Sequence, residues 1–201
     1  GYDFIKDKNY SLDGNGYDSN PEDPGDQLQG GRSSFHGTHV TGTVAAATNN
    51  VTGVAGVAGN VKIMALRTLG RGGRGTAFDI NQAILYAAGL SNDSGALPTQ
   101  KADIINMSLG GGGYSTIDQD IIDAARAAGV IIIAAAGNES TSSPSYPAAY
   151  DGVVSVSAVD ANKELASYSN NGTTIDVAAH GGDTTKDTDG DRYPDGVLIT
   201  S

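Results

Sequence analysis

Two short stretches carry side chains suited to proton transfer and charge stabilisation. In His36-Gly37-Thr38-His39-Val40 a histidine opens a run of small residues. Imidazole changes charge near neutral pH, so it can act as a general base, and it is also a common metal ligand. His-x-x-His suits a metal pair on a helix, but a metalloprotease would carry glutamate after the first histidine, where Gly37 stands. In Ala134-Ala135-Ala136-Gly137-Asn138 an apolar run ends in an amide. At the edge of a sheet that amide can donate a hydrogen bond to a developing oxyanion, and it is equally a residue type that ends a strand in a turn.

Glycine-rich and acidic segments add further candidates. Asn106-Met107-Ser108-Leu109-Gly110-Gly111 and Leu69-Gly70-Arg71-Gly72-Gly73-Arg74-Gly75 follow apolar runs. Neither continues into the Gly-Lys-Ser/Thr of a phosphate loop. Backbone without side chains can instead accept an extended peptide as an added strand, or simply turn. Asp187, Asp189, Asp191 and Asp195 occupy loop positions one, three, five and nine, the oxygen spacing of a calcium loop, although Leu198 stands at twelve. The other reading is a solvated acidic hairpin. Asp13, Asn15, Asp18 and Asp23 form a looser second calcium candidate, and Asn50 a weaker third.

The elements that must position these residues follow from periodicity. A polar, turn-rich stretch to Ser34 reads as an ordered loop, and a small-residue helix is predicted over 37–48, stopped by Asn49-Asn50 and Gly53. Strands are predicted over 61–66, 102–109, 130–136, 153–159 and 175–179, with helices over 76–88 and 117–128, the latter capped by Ser115. Val130 to Ala136 lacks polar alternation, as a parallel sheet covered on both faces requires. The expected fold is a three-layer, doubly wound α/β domain with a mostly parallel sheet and helices on both faces. Ligands of such sheets bind off the carboxyl ends of the strands, which is where the glycine-rich segments and Asn138 fall.

Composition narrows the partners. Twelve Lys and Arg against 23 Asp and Glu give a formal charge of −11, which argues against nucleic acid. No apolar run is long enough to span a bilayer. The absence of cysteine excludes disulfides and thiolate chemistry. No composition shift divides the 201 residues into two domains.

Taken together, His36-Gly37-Thr38-His39-Val40-Thr41-Gly42-Thr43, Gly53 to Ala58, Asn106 to Gly111 and Ala135-Ala136-Gly137-Asn138 resemble the subtilisin family in order and approximate spacing. Ala166-Ser167-Tyr168-Ser169-Asn170 and Ile175 to Ala179 extend the resemblance over essentially the whole chain, and Tyr2 to Phe4 with Asp13 to Gly16 look like secreted bacterial members. The resemblance implies a secreted serine endopeptidase acting on polypeptides. It implies His36 as general base with His39 as a structural neighbour, and Asn138 as the side-chain oxyanion donor. Ser108, Leu109 and Gly110 would pair with the substrate and wall its primary pocket, with Ala135, Ala136 and Gly137 opposite; Gly73, Arg74 and Gly75 would form the other edge of the cleft. The family's Asp-Thr/Ser-Gly turn, expected before the histidine, does not occur ahead of His36, and its Gly-Thr-Ser-Met-Ala segment does not occur between Gly1 and Ser201. Residues 1–201 therefore read as the central part of one catalytic domain, incomplete at both ends and inactive alone. The remaining segments of the same domain, carrying the aspartate and serine, would be its partners. A smaller departure is His180, where relatives usually carry proline. The reading from another class is a non-catalytic peptide-binding module.

Overall fold

A computed structural model describes residues 1–27 and 31–197, so Leu198 of the acidic loop lies outside the described residues. The chain gathers into two compact units, residues 1–102 and the segment from Asp103 onward.

In the first unit, strand β1 (Tyr2–Asp3) pairs in parallel with β2 (Leu66–Arg67). Helix α1 (Lys8–Ser11), helix α2 (His36–Ala45), a 3-10 turn at Arg71–Gly73 and helix α3 (Ala77–Ala87) complete it. Thr76 caps α3 by accepting from the Asp79 N–H at 3.1 Å. The helix buries Ala83, Ile84, Tyr86 and Ala87. Phe4, Ala83 and Tyr86 form a core to which Tyr2, Tyr17, Met64, Leu66 and Ala96 add, and the Phe4 and Tyr86 rings meet edge to face at 5.3 Å.

Only Leu66 of the strand expected over 61–66 pairs with a neighbour, because its partner β1 is two residues long. That short pair is pinned by charge. Arg67 Nη1 donates to the fully buried Asp3 carboxylate and, at 3.2 Å, to Asp13 Oδ2, while Nη2 donates to the Ser11 carbonyl. Burial pushes the Asp3 carboxyl up to about 6 against the lowering effects of the Ile5 N–H and the guanidinium.

Helix α2 starts one residue before the expected helix and stops three residues short of its expected end. Its last carbonyls explain the stop. Val57 N and Ala58 N donate to the Thr43 and Val44 carbonyls at 3.1 and 2.8 Å, and Gly56 N to that of Ala46. A Cβ on Gly56 would lie 2.3 Å from Ala46 N, so glycine is what lets this return segment close on the helix end.

The second unit is built on a four-stranded, all-parallel sheet ordered β3 (Ile104–Met107), β4 (Ile131–Ala135), β5 (Val153–Val159), β6 (Val177–His180). Helix α4 (Thr116–Ala127) joins the first two, capped by Ser115 Oγ accepting from Asp118 N at 3.3 Å. A small antiparallel pair, β7 (Gly182–Asp183) with β8 (Asp195–Gly196), follows.

Paired residues of neighbouring strands share a face. Met107, Ile132, Ala134, Val153 and Ser155 are buried on one, with Ile122 and Ala125 of α4 also buried and α4 packed on β4. A side chain such as Ile132 contributes about 1.5–3 kcal/mol there. The other face is apolar but open, with Ile104, Ile131 and Val177 at 56%, 54% and 50% exposure. The unbroken apolar run of β4 thus supplies two apolar faces, of which the described residues bury one. Among the described residues no helix is long and apolar enough to cross a membrane.

Candidate functional site

In the first unit His36 is the first residue of α2 and is exposed. The preceding residue, Phe35, adopts the left-handed conformation (φ 46°, ψ 38°), a costly choice for a side chain with a Cβ. What holds it is the residue before. Ser34 donates its N–H and its hydroxyl to the two carboxylate oxygens of Asp26, both at 2.7 Å, and its Oγ accepts weakly from His36 N at 3.3 Å. These bonds, with a smaller contribution from His36, hold the Asp26 carboxyl below its usual range. The Asp26 carbonyl accepts from Gly72 N at 2.6 Å, which ties the histidine loop to the glycine-rich turn. Within that turn Gly70 N donates to the Arg74 carbonyl at 2.8 Å, and Gly73, Arg74 and Gly75 are exposed. A Cβ on Gly75 would stand 2.1 Å from the Thr68 carbonyl. His39 lies within α2, also exposed, and no histidine belongs to a metal-capable group among the described residues.

In the second unit the candidate residues follow the carboxyl ends of β3 and β4, as parallel topology directs. Ser108 and Leu109 are half-buried and Gly110 is exposed; the Ser108 hydroxyl accepts from Asn106 Nδ2 at 3.0 Å. Gly111 N anchors the glycine run to the Tyr146 carbonyl at 3.0 Å. At the end of β4, Ala135 is exposed and Ala136 is buried, donating its N–H to the Val156 carbonyl at 2.9 Å. Gly137 then turns with φ 111°, a region open to glycine and strained for other residues. Asn138 is exposed and its N–H donates to Glu139 Oε2 at 3.0 Å. Its side-chain amide makes no hydrogen bond among the described residues, which leaves both its N–H groups free to donate outward.

Sequence reasoning passes over the residue that supports this turn. Asn170 is buried and accepts from Glu139 N and Thr141 N while donating to the Ala136 carbonyl and to Glu139 Oε2. Only the family-like Ser169-Asn170 pair hinted at it, and nothing in the sequence links it to a turn more than thirty positions earlier.

The acidic hairpin brings ligand oxygens of Asp187, Asp189 and Asp195 within 4.8 Å of one another. Asp191 stands outside that trio and accepts from Tyr193 N. Gly190 (φ 75°) donates its N–H to Asp187 Oδ1 at 2.8 Å, closing the loop. The earlier acidic segment is arranged differently. Asp13 faces Arg67, Asn15 donates its N–H to Asp13, and Asp18 and Asp23 accept from Asn20 N and Gly25 N. Asn50 accepts from Thr52 N within its own loop. At the base of the hairpin Asp183 is buried, and Thr185's hydroxyl together with Ser167's N–H holds its carboxyl well below the usual range. His180 Nδ1 lies 3.0 Å from the Asp160 carbonyl, and Lys186 pairs with the Asp160 carboxylate at 2.6 Å.

Comparison with known proteins gives this geometry its context. The Subtilase family pattern matches residues 3–199. An extracellular protease of Xanthomonas campestris pv. campestris is 46% identical over 192 residues, covering 90% of this chain and 33% of its own length. Subtilisin DY of Bacillus licheniformis is 40% identical over 186 residues, covering 90% of this chain and 57% of its own. A solved protease from Pseudoalteromonas arctica PAMC 21717 superposes with a TM-score of 0.88 at 42% identity, covering 100% of this chain and 63% of that one. The chain thus spans between a third and somewhat over half of these curated relatives. A parallel α/β sheet whose strands end in the Ser-Leu-Gly and Ala-Gly-Asn segments, matched by sequence and superposition along nearly its full length, places this chain in the subtilase family of serine proteases, with the subtilisin-like α/β fold.

Proposed function

We propose that this chain supplies the general base and the side-chain oxyanion donor of a secreted serine endopeptidase that cleaves polypeptides by acyl transfer. His36 takes the proton of a serine hydroxyl as it attacks the peptide carbonyl, an aspartate orients His36, and Asn138 donates to the tetrahedral oxyanion. Serine and aspartate belong to segments other than residues 1–201, and the chain by itself has no turnover. The observation that carries this reading is the state of Asn138, an exposed side-chain amide free of partners among the described residues, held at the carboxyl end of a parallel strand by a turn with a left-handed glycine. In the second unit Ser108, Leu109, Gly110, Ala135 and Gly137 are exposed or half-buried residues after strand ends, suited to an extended peptide, with Ala136 buried between the last two; Gly73, Arg74 and Gly75, exposed in the first unit, are assigned to substrate binding by the family resemblance. Secretion accords with relatives named extracellular proteases.

The test uses the enzyme complete with its aspartate and serine segments. His36→Ala abolishes turnover on a peptide anilide, and Asn138→Ala lowers kcat about a hundred- to a thousandfold with little change in KM, a magnitude taken from subtilisin itself rather than obtained from this structure. A complete enzyme that binds peptides but never cleaves them would instead be a peptide-binding module.

Asp187, Asp189 and Asp195 are the residues we assign to a structural calcium ion. Three carboxylates converging around a glycine turn provide hard oxygen donors, and each keeps lone pairs beyond those its backbone N–H partners occupy.

A further inference from the structure

Asn138 can stabilise an oxyanion only if its backbone is fixed, and the turn that carries it has little regular structure of its own. The fixing comes from the segment 166–171. Ser140 N donates to the Tyr168 carbonyl at 3.0 Å and Ser140 Oγ to that of Ser167 at 2.5 Å. Asn170 N donates to the Gly137 carbonyl at 3.1 Å, and Asn171 N to that of Thr141 at 3.0 Å. At the centre sits the Asn170 carboxamide, 2% exposed. Its Oδ1 accepts from Glu139 N at 2.9 Å and Thr141 N at 3.3 Å; its Nδ2 donates to the Ala136 carbonyl at 2.9 Å and Glu139 Oε2 at 2.7 Å. Two donors face one end of the amide and two acceptors the other, so its orientation is determined and its hydrogen-bonding capacity filled. Glu139 Oε2 accepts from Asn138 N as well, which places one carboxylate oxygen between the catalytic candidate and the buried amide. Gly137 completes the fit, since a Cβ there would fall 2.4 Å from Asn170 Nδ2 and 2.5 Å from Glu139 Oε2.

The segment 166–171 is in turn anchored to the sheet. Ala158 N of β5 donates to Ser169 Oγ at 2.8 Å, Ala166 N donates to the Ala158 carbonyl at 3.0 Å, and Ser167 donates through N and Oγ to the buried Asp183. Asn170 therefore works from a rigid base.

We propose that Asn170 is a positioning residue for the reaction: through its four side-chain hydrogen bonds and with Glu139 as intermediary, it sets the Ala136–Thr141 turn so that the Asn138 amide meets the oxyanion. This rests on the reading of Asn138 given above. Asn170 touches no substrate and acts only through Asn138. The alternative is that it merely stabilises the fold.

The experiment is a double-mutant cycle in the complete enzyme with Asn170→Asp and Asn138→Ala. The aspartate keeps size and both acceptor bonds but replaces the amide donor with an oxygen facing Glu139. For Asn170→Asp in folded enzyme, kcat falls about ten- to a hundredfold, as a displacement near 1 Å does, while KM stays within twofold. In the Asn138→Ala background the same change costs less than threefold, and hydrogen–deuterium exchange across residues 136–141 is at least tenfold faster in Asn170→Asp than in the parent. Should the aspartate unfold the enzyme, Glu139→Gln, which weakens the same acceptor, is read in the same cycle. Unchanged kcat, a rise in KM alone, or losses that multiply across the cycle would overturn the proposal. Loss of the parent reading looks different: Asn138→Ala itself would leave kcat intact.

Discussion

Replacing Gly137 by alanine tests the geometry of the candidate site through a single methyl group. Two effects add. The backbone at φ 111° is one that side-chain-bearing residues adopt at a cost of about 1–3 kcal/mol. The new Cβ would also stand 2.4 Å from Asn170 Nδ2 and 2.5 Å from Glu139 Oε2, about 1 Å inside ordinary contact. Relieving that overlap moves the Asn170 amide away from the Ala136 carbonyl and from Glu139, bonds now 2.9 and 2.7 Å long, each with a net worth of about 1 kcal/mol. The expected destabilisation is about 3–5 kcal/mol, measured by urea denaturation of the complete enzyme with its serine chemically blocked so that autolysis does not contribute. Gly95→Ala is the control. Gly95 has φ 69° and nothing within 4 Å of an added Cβ, so it carries the backbone cost without the overlap, about 1 kcal/mol. If the two variants unfold within 1 kcal/mol of each other, the packing of Asn170 beneath Gly137 is not what the structure describes.

Two further expectations concern the hairpin. Removing calcium from the complete enzyme with a chelator lowers its melting temperature, the ion contributing about 2.7 kcal/mol at a hundredfold excess over its dissociation constant, and Asp189→Ala with Asp195→Ala removes most of that dependence; an unchanged calcium shift in the double variant would reduce the trio to a solvated turn. The Asp183 carboxyl is lowered by Thr185 and Ser167, so its stabilisation is complete above the ordinary aspartate value near 4 and is lost as pH falls through the lower folded value. Asp183→Asn accordingly flattens the acid limb of a stability–pH curve and leaves its slope above pH 5 unchanged; the opposite pattern would contradict the hydrogen-bond assignment.

How far the sequence carries is clearest where signals are local. Ser115 caps α4 as its side chain predicts, Thr76, expected as the first residue of its helix, caps α3 instead, and β5 spans the seven residues expected over 153–159. Strand ends bearing Ser-Leu-Gly and Ala-Gly-Asn follow from the same patterns. Long-range polar ties do not. The β1–β2 pair is too short to show a period, and what fixes it is Arg67 reaching Asp3, Asp13 and Ser11, contacts between residues more than fifty positions apart. The start of α2 at His36 depends on Phe35 entering a left-handed conformation, which no composition rule anticipates for phenylalanine. Asn170 reads as an ordinary turn residue until the fold brings it beneath Gly137.

Within the second unit, three segments that look independent in the sequence form one hydrogen-bonded body. Asp183, at the base of the acidic hairpin, receives the Ser167 N–H and hydroxyl. Ser167 presents its carbonyl to Ser140 Oγ, Tyr168 presents its own to Ser140 N, and Asn170 closes on Ala136 and Glu139. Each link is short, most are buried or half-buried, and buried hydrogen bonds are costly to leave unmade. Displacing the hairpin base therefore strains the turn that carries Asn138, whereas the exposed hairpin tip around Gly190 can rearrange without reaching it. The geometry accordingly separates two consequences for this acidic loop: changes at Asp187 or Asp189 act on its own closure, and changes at Asp183 act on the turn that carries Asn138.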